Sequence, residues 1–299
     1  MHRPQAAARP RRGRRCRAAT KGAPRVPLEL PALASERPTP FELACVDGQL
    51  IARESAVISV LDDGLLRGDG VFEVMRLYAG RPYGLEAHLE RMQRSADNLR
   101  LPIDVAAVAD DVRSLIASAQ PGDVALRTLV TRGGRRVSLV EELAELPSSL
   151  SLSAVTYAPT RVLDQVKSLS YAANMLCSRL AQERGFDEAL LVTPHGRVLE
   201  APTASFFWAR DGRVYTPPLE DHLLDSITRR AVLRAGEVSE RPTTMDDVRG
   251  ADELFLASSL KEVVAVHAVD EVQLTAPGPL TGELAARVSR HIAAAVADA

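Results

Sequence analysis

Of the 37 basic side chains in this 299-residue chain only three are lysines, Lys21, Lys167 and Lys261. The distinction matters because lysine can shed its proton and attack a carbonyl as a free amine, whereas arginine stays charged. Lys21 lies in a basic leader, and Lys261 stands beside Glu262, where a solvated charge is the simplest expectation. Lys167 differs, because the strand-like stretch Val166-Lys167-Ser168-Leu169-Ser170-Tyr171 offers it no adjacent carboxylate. An amine held among apolar neighbours loses its charge more easily, which is the condition for Schiff-base chemistry. The plainer alternative is a strand-edge lysine that reaches solvent.

Further along, Glu200 ends a turn and short strand, Gly196-Arg197-Val198-Leu199-Glu200, just before the small residues Ala201-Pro202-Thr203. Ser226-Ile227-Thr228-Arg229 then reads as a helix start, whose free N–H groups and positive dipole end suit a phosphate. An amine nucleophile, an isolated carboxylate and a phosphate cradle together suggest pyridoxal 5′-phosphate. Other chemistry-bearing patterns are missing. There is no Gly-Lys-Ser/Thr phosphate loop, no G-x-S-x-G elbow and no dinucleotide fingerprint. The six histidines are scattered, and Cys16, Cys45 and Cys177 stand at unrelated spacings, so neither a metal site nor a disulfide framework is expected.

These residues need elements to position them. Asp47-Gly48 reads as a hairpin turn, and residues 71–78 as a strand turned by Ala79-Gly80. Leu85, Leu89, Met92, Ala96 and Leu99 recur as one face of a helix. Asp104 is placed to cap a second helix with Val105, Val108, Val112, Leu115 and Ile116 on its apolar face. Strands are expected at 124–131 and 149–157, and Ala158-Pro159-Thr160 reads as a linker. Beyond it come a helix at 173–183 stopped by Gly185, strands at 188–192 and 205–209, and helices at 226–235 and from 280 onward.

Hydrophobic residues make up 46% and charged residues 25%, a globular composition that excludes wholesale disorder. No apolar run is long enough to span a membrane. The net charge of −2 conceals an asymmetry: residues 1–40 carry a balance of about +8, and the remainder about −10. The first segment reads as a disordered basic extension or an organelle transit peptide. A nucleic-acid-binding arm is the third reading, but the acidic body offers no basic stripe with interleaved aromatics. A cytoplasmic protein is expected, or an organellar one if the leader is a transit peptide.

Seven motifs stand in order. They are Gly68-Asp69-Gly70-Val71-Phe72-Glu73, His88-Leu89-Glu90-Arg91-Met92, the run from Arg127 to Gly133, and Lys167 through Tyr171. Gly185-Phe186-Asp187-Glu188-Ala189-Leu190, Gly196 to Glu200 and Ile227-Thr228-Arg229 complete the series. Through them, residues 41–298 resemble the class IV, or fold type IV, pyridoxal-phosphate enzymes: branched-chain aminotransferases, D-amino-acid aminotransferases and aminodeoxychorismate lyases. The resemblance implies a two-domain α/β and α+β fold with the active site between the domains. The smaller N-terminal α/β domain is expected at 41–157, a linker at 158–161, and the larger cofactor-binding domain at 162–299. It also implies a homodimer acting on a small amino acid and a 2-oxo acid, with no nucleic acid or membrane partner.

Carried over by position, Lys167 matches the lysine that joins the cofactor and moves the substrate proton. Glu200 matches the partner of the pyridinium nitrogen, and Arg91 a phosphate-binding arginine. Ile227 and Thr228 match donors of the phosphate cradle, Ser259 a further hydroxyl ligand, and Thr203 and Ala204 a loop near the phosphate. Tyr171 matches a tyrosine that bonds the cofactor's phenolic oxygen. Arg127 matches an organiser of the substrate carboxylate, and Phe72 and Ser258 are expected to face the substrate. Without the resemblance, Glu200 reads as a strand-end acid and Arg127 as a strand arginine satisfied by an acidic neighbour. Arg67 stands where branched-chain enzymes place a tyrosine. Val74 stands where some lyases place a threonine, and Arg136-Val137-Ser138 lacks the histidine of the D-specific Arg-x-His pair. The expected reaction is transamination of a branched-chain or related amino acid with an acceptor such as 2-oxoglutarate. The alternatives are an aminodeoxychorismate lyase yielding 4-aminobenzoate and pyruvate, and a non-catalytic relative without cofactor.

Overall fold

The computed structural model describes residues 38–298, so the expected basic extension lies outside the described residues except for its last three. Asp47 and Gly48 take φ of 51° and 85°, as a two-residue hairpin turn requires, and join strands Leu43–Val46 and Gln49–Ala52. These belong to a six-stranded antiparallel sheet in the order Gln49–Ala52, Leu43–Val46, Arg136–Glu141, Val124–Thr131, Gly70–Tyr78, Arg81–Pro82. Helices Leu85–Asn98 and Val105–Ser118 cover one of its faces. The second helix starts as its sequence implies, with Asp104 Oδ1 accepting the Ala107 N–H at 3.0 Å. Leu89, Met92, Val108, Val112 and Leu115 pack against Val71, Met75, Leu126 and Val130.

Side chains alternate across strand Gly70–Tyr78. Val71, Met75 and Leu77 enter the helix-covered core, whereas Phe72 and Val74 line a cavity. Glu73 shares the core face, and the alternation therefore buries a carboxylate beneath helix Leu85–Asn98.

The second sheet runs Val238–Glu240, Arg213–Thr216, Ser205–Arg210, Glu253–Ser258, Glu262–Val269, Ser149–Thr156, Glu188–Val192, Arg197–Val198, Thr243–Thr244, with Val272–Gln273 beside Glu262–Val269. Its central strands read as nearly unbroken apolar runs because both faces are covered. Phe206 and Trp208 enter one core with Leu254 and Leu256. Phe207 and Phe255 stack on the other face, at 4.8 Å between ring centroids, beneath helices Ile227–Ala235 and Pro279–Ala297. Helix Ala172–Glu183 closes a further cluster through Cys177 and Ala181.

The expected boundary near residue 157 differs from the division between sheets. Ser149–Thr156 is an interior strand of the second sheet, parallel to both Glu262–Val269 and Glu188–Val192. The change of sheet therefore falls between Glu141 and Ser149, ahead of the expected linker. Among the described residues no helix is long and apolar enough to cross a membrane.

Candidate active site

The stretch around Lys167 is a loop rather than the expected strand. Only Ser168 makes a ladder bridge, to Val71, on the edge of strand Gly70–Tyr78 opposite Val124–Thr131. Bonds to that strand and to helix Leu85–Asn98 fix the loop. The Phe72 N–H donates to the Lys167 carbonyl at 3.1 Å, and the Leu169 N–H to the Gly70 carbonyl at 2.9 Å. The Lys167 N–H in turn donates to Ser95 Oγ at 3.1 Å. A Cβ at Gly70 would lie 2.5 Å from the Val130 carbonyl oxygen and 2.6 Å from Leu169 Cδ1, so this close approach needs glycine.

The Lys167 side chain enters a cavity of about 360 Å³ whose wall also includes Glu200. Its Nζ lies 4.4 Å from the Phe72 ring centroid and 5.6 Å from that of Tyr171. Burial, reinforced by the charges of Arg91 and Arg127 and opposed by Glu73 and Glu200, pulls the amine down to about 8. Glu200 moves the other way: burial lifts its carboxyl to about 7, against the Leu224 N–H that donates to Oε1 at 3.3 Å and the charges of Lys167, Arg229 and Arg91. A base and an acid, each shifted toward neutrality, thus share one cavity.

Arg91 lines the same cavity, yet its guanidinium is engaged. Nε and Nη2 donate to Glu73 at 2.8 and 2.6 Å, and Nη1 donates to the Asp225 carbonyl at 3.2 Å. His88 Nδ1 lies 2.8 Å from the same carboxylate. Asp225 immediately precedes helix Ile227–Ala235, where Ser226 Oγ accepts the Arg229 N–H at 3.3 Å as the N-cap. The Ile227 and Thr228 N–H groups have no partner among the described residues. Thr228 Oγ1 is buried and likewise unpartnered. Of this helix start only Ser226 lies on the cavity wall itself.

Phe72, Arg127, Tyr171, Thr203, Ala204, Ser258 and Ser259 all line the cavity. Two of them bond to protein groups. The Tyr171 hydroxyl donates to the Pro202 carbonyl, which Asn174 Nδ2 also approaches at 3.3 Å. Arg127 grips Glu141 bidentately, at 2.8 and 2.9 Å. Arg67, whose position drew attention, lies outside the wall and pairs with Asp63, and Arg136 pairs with Asp111 at 2.7 Å.

Three further side chains belong to this site by position, without a role implied by the motifs. Glu73 and His88 lie within the first two motifs, and strand alternation is the signal that places Glu73 under Arg91. Lys261, expected as a solvated charge, instead lines the cavity with Nζ donating to Thr203 Oγ1 at 3.3 Å. Lysine scarcity was the available signal.

The residues present fit a pyridoxal-phosphate group. A near-neutral amine, an acid across the same cavity, two unpaired helix N–H groups and an orphaned buried hydroxyl match an aldehyde, a ring nitrogen and a phosphate respectively.

A family model described as Amino-transferase class IV matches residues 70–269. A putative branched-chain-amino-acid aminotransferase from Methanocaldococcus jannaschii is 32% identical over 250 residues, covering 75% of this chain and 87% of the relative. A D-alanine aminotransferase from Bacillus licheniformis is 30% identical over 260 residues, covering 79% of this chain and 92% of that protein. Among solved structures, the branched-chain aminotransferase of Thermoproteus uzoniensis with norvaline is similar with a TM-score of 0.79, at 25% identity over 85% of this chain and 95% of that one.

Proposed function

The chain belongs to the class IV aminotransferase family, has its fold type IV architecture, and is an enzyme of that pyridoxal-phosphate-dependent group; from this premise we propose that it moves the amino group of a branched-chain or related amino acid to a 2-oxo acid such as 2-oxoglutarate. The observation that carries the reading is the pairing of Lys167 with Glu200 in one cavity, each shifted toward neutrality. Apolar side chains on the same wall, Phe72, Val74, Leu163 and Leu260, suit an aliphatic side chain.

When bound, pyridoxal phosphate supplies an aldehyde and an electron-withdrawing ring. Lys167 would hold the aldehyde carbon through Nζ, and Glu200 the proton on the ring nitrogen. The phosphate would rest on the Ile227 and Thr228 N–H groups and the Thr228 and Ser259 hydroxyls. Lys167, close enough to neutrality as a free amine, would take the proton from the substrate α-carbon and return it. Glu200, in a dry site where charge interacts strongly, would hold the ring nitrogen in its protonated form.

The deciding assay offers leucine, isoleucine and valine with 2-oxoglutarate and measures the branched 2-oxo acids formed. Release of pyruvate and 4-aminobenzoate from aminodeoxychorismate, with no amino acceptor present, would replace the transaminase reading with lyase chemistry. A protein that stays colourless with pyridoxal phosphate would instead be a non-catalytic relative.

The enzyme is further proposed to work as a homodimer. Val60 and Leu61 are 72% and 80% exposed, and Val57, Leu65 and Leu66 extend the same apolar segment. So many exposed apolar side chains in one segment ask for a covering partner, and a second copy is the occupant the family reading supplies. Light scattering is expected to return twice the mass of the chain; the monomer mass would refute it.

A further inference from the structure

The cavity wall carries the cationic side chains Arg91, Arg127, Lys167 and Lys261, along with the imidazole of His222. His222 Nδ1 lies 3.2 Å from Asp164. Both arginines are committed, Arg91 to Glu73 and Arg127 to Glu141. An arginine whose fork already holds a carboxylate bidentately is poorly placed to capture another. Lys167 is the reacting amine. That leaves Lys261, which no carboxylate among the described residues pairs with; its Nζ meets only the Thr203 hydroxyl.

The turn that presents Lys261 is held at both ends. Its N–H donates to Ser258 Oγ at 3.2 Å. Glu262, the neighbour that should neutralise it, sits at φ 52°, a left-handed conformation uncommon for a residue with a Cβ. Its carboxylate accepts the Tyr78 hydroxyl at 2.9 Å, and Arg76 Nη1 lies 3.5 Å away. The turn thus sends the acid toward the first sheet and the lysine into the cavity. Burial disfavours the Lys261 ammonium, with Glu188 only partly opposing it, so an incoming anion has a charge to satisfy.

We propose that Lys261 and Thr203 form a carboxylate subsite that orients an amino or 2-oxo acid toward Lys167, the task expected of Arg127. The ammonium donates to one carboxylate oxygen. The Thr203 oxygen accepts from Lys261, which leaves its own O–H free to donate to the same anion. The subsite takes its catalytic meaning from the transaminase reading, but its test does not require turnover.

Calorimetric titration of the cofactor-loaded protein uses two acids that carry neither amine nor ketone, butanoate and glutarate. Lys261→Met is expected to weaken at least one of them by roughly tenfold or more. Loss confined to glutarate assigns the subsite to a second, distal carboxylate; equal loss of both assigns it to the carboxylate beside the reacting carbon. Lys261→Arg is expected to stay within about threefold of the parent, and Thr203→Val to show a smaller loss of the same pattern. Unchanged binding of both acids by Lys261→Met overturns the subsite. Loss that Lys261→Arg shares also overturns it, because charge would then not be the cause. Binding that follows this pattern without any transamination leaves the subsite standing and refutes the proposed reaction instead.

Discussion

The protein is expected to turn yellow with pyridoxal phosphate, and Lys167→Ala to abolish that colour and to lower turnover by roughly 10³-fold or more. Both effects follow from one atom. Nζ is the amine in the cavity freed toward neutrality by burial and by Arg91, and the proposed function gives it the substrate proton to shuttle. The contrast with Glu200→Gln separates the roles. Glutamine keeps an oxygen for the Leu224 N–H but carries no charge, so colour should persist while turnover falls by roughly 10²-fold or more. The pH dependence of colour formation gives an independent check. An amine reacts with an aldehyde only when neutral, so capture by the cofactor-free protein should rise as pH rises through about 8 rather than through the ordinary 10.5. Retention of the coloured adduct in Lys167→Ala, or a midpoint near the ordinary value, would remove Lys167 from its assigned place.

What could be read from the sequence was set by the range of the interaction. The Asp47-Gly48 turn, the face built on Leu85, Leu89 and Met92, the Asp104 cap and the Ser226 cap all depend on neighbours within a few residues, and their patterns were legible. Lys167 and Glu200 are legible as a rare amine and an isolated acid, although the strand expected around Lys167 is a loop with one bridge. Membership of a sheet was not legible. Ser149–Thr156 looks like any alternating strand, and only parallel partners at Glu188–Val192 and Glu262–Val269 place it in the second sheet. Arg127 shows the same limit at the site: its partner Glu141 comes from Arg136–Glu141, a strand the pattern did not reveal. Lys261 failed for a subtler reason. Sequence adjacency to Glu262 suggested a mutual solvated pair, and the left-handed backbone at Glu262 turns the two side chains apart.

Glu73→Ala is expected to be the most destabilising single change near the site, costing about 3–5 kcal/mol at pH 7. Glu73 is wholly buried, and its carboxylate accepts three bonds, two from Arg91 and one from His88. Burial alone would raise its pKa, but the Arg91 charge and hydrogen bonds, with help from His88, hold it at about 2 against an ordinary 4.5. Removing it strands the buried Arg91 cation, which is the costly way to break such a pair. The pH dependence has a definite sign. A carboxyl with a depressed folded pKa contributes its stability above the unfolded value, and loses that contribution as pH falls from about 4.5 toward 2. That interval corresponds to on the order of 3 kcal/mol. Urea titrations of parent and variant should therefore differ most near neutrality and converge steadily in acid. Arg91 also donates to the Asp225 carbonyl at 3.2 Å, just ahead of the helix start proposed for the phosphate, so the folded variant should release pyridoxal phosphate more readily. A difference below about 1 kcal/mol at pH 7, or one that does not shrink on acidification, would show that Arg91 is not the charge Glu73 is there to balance.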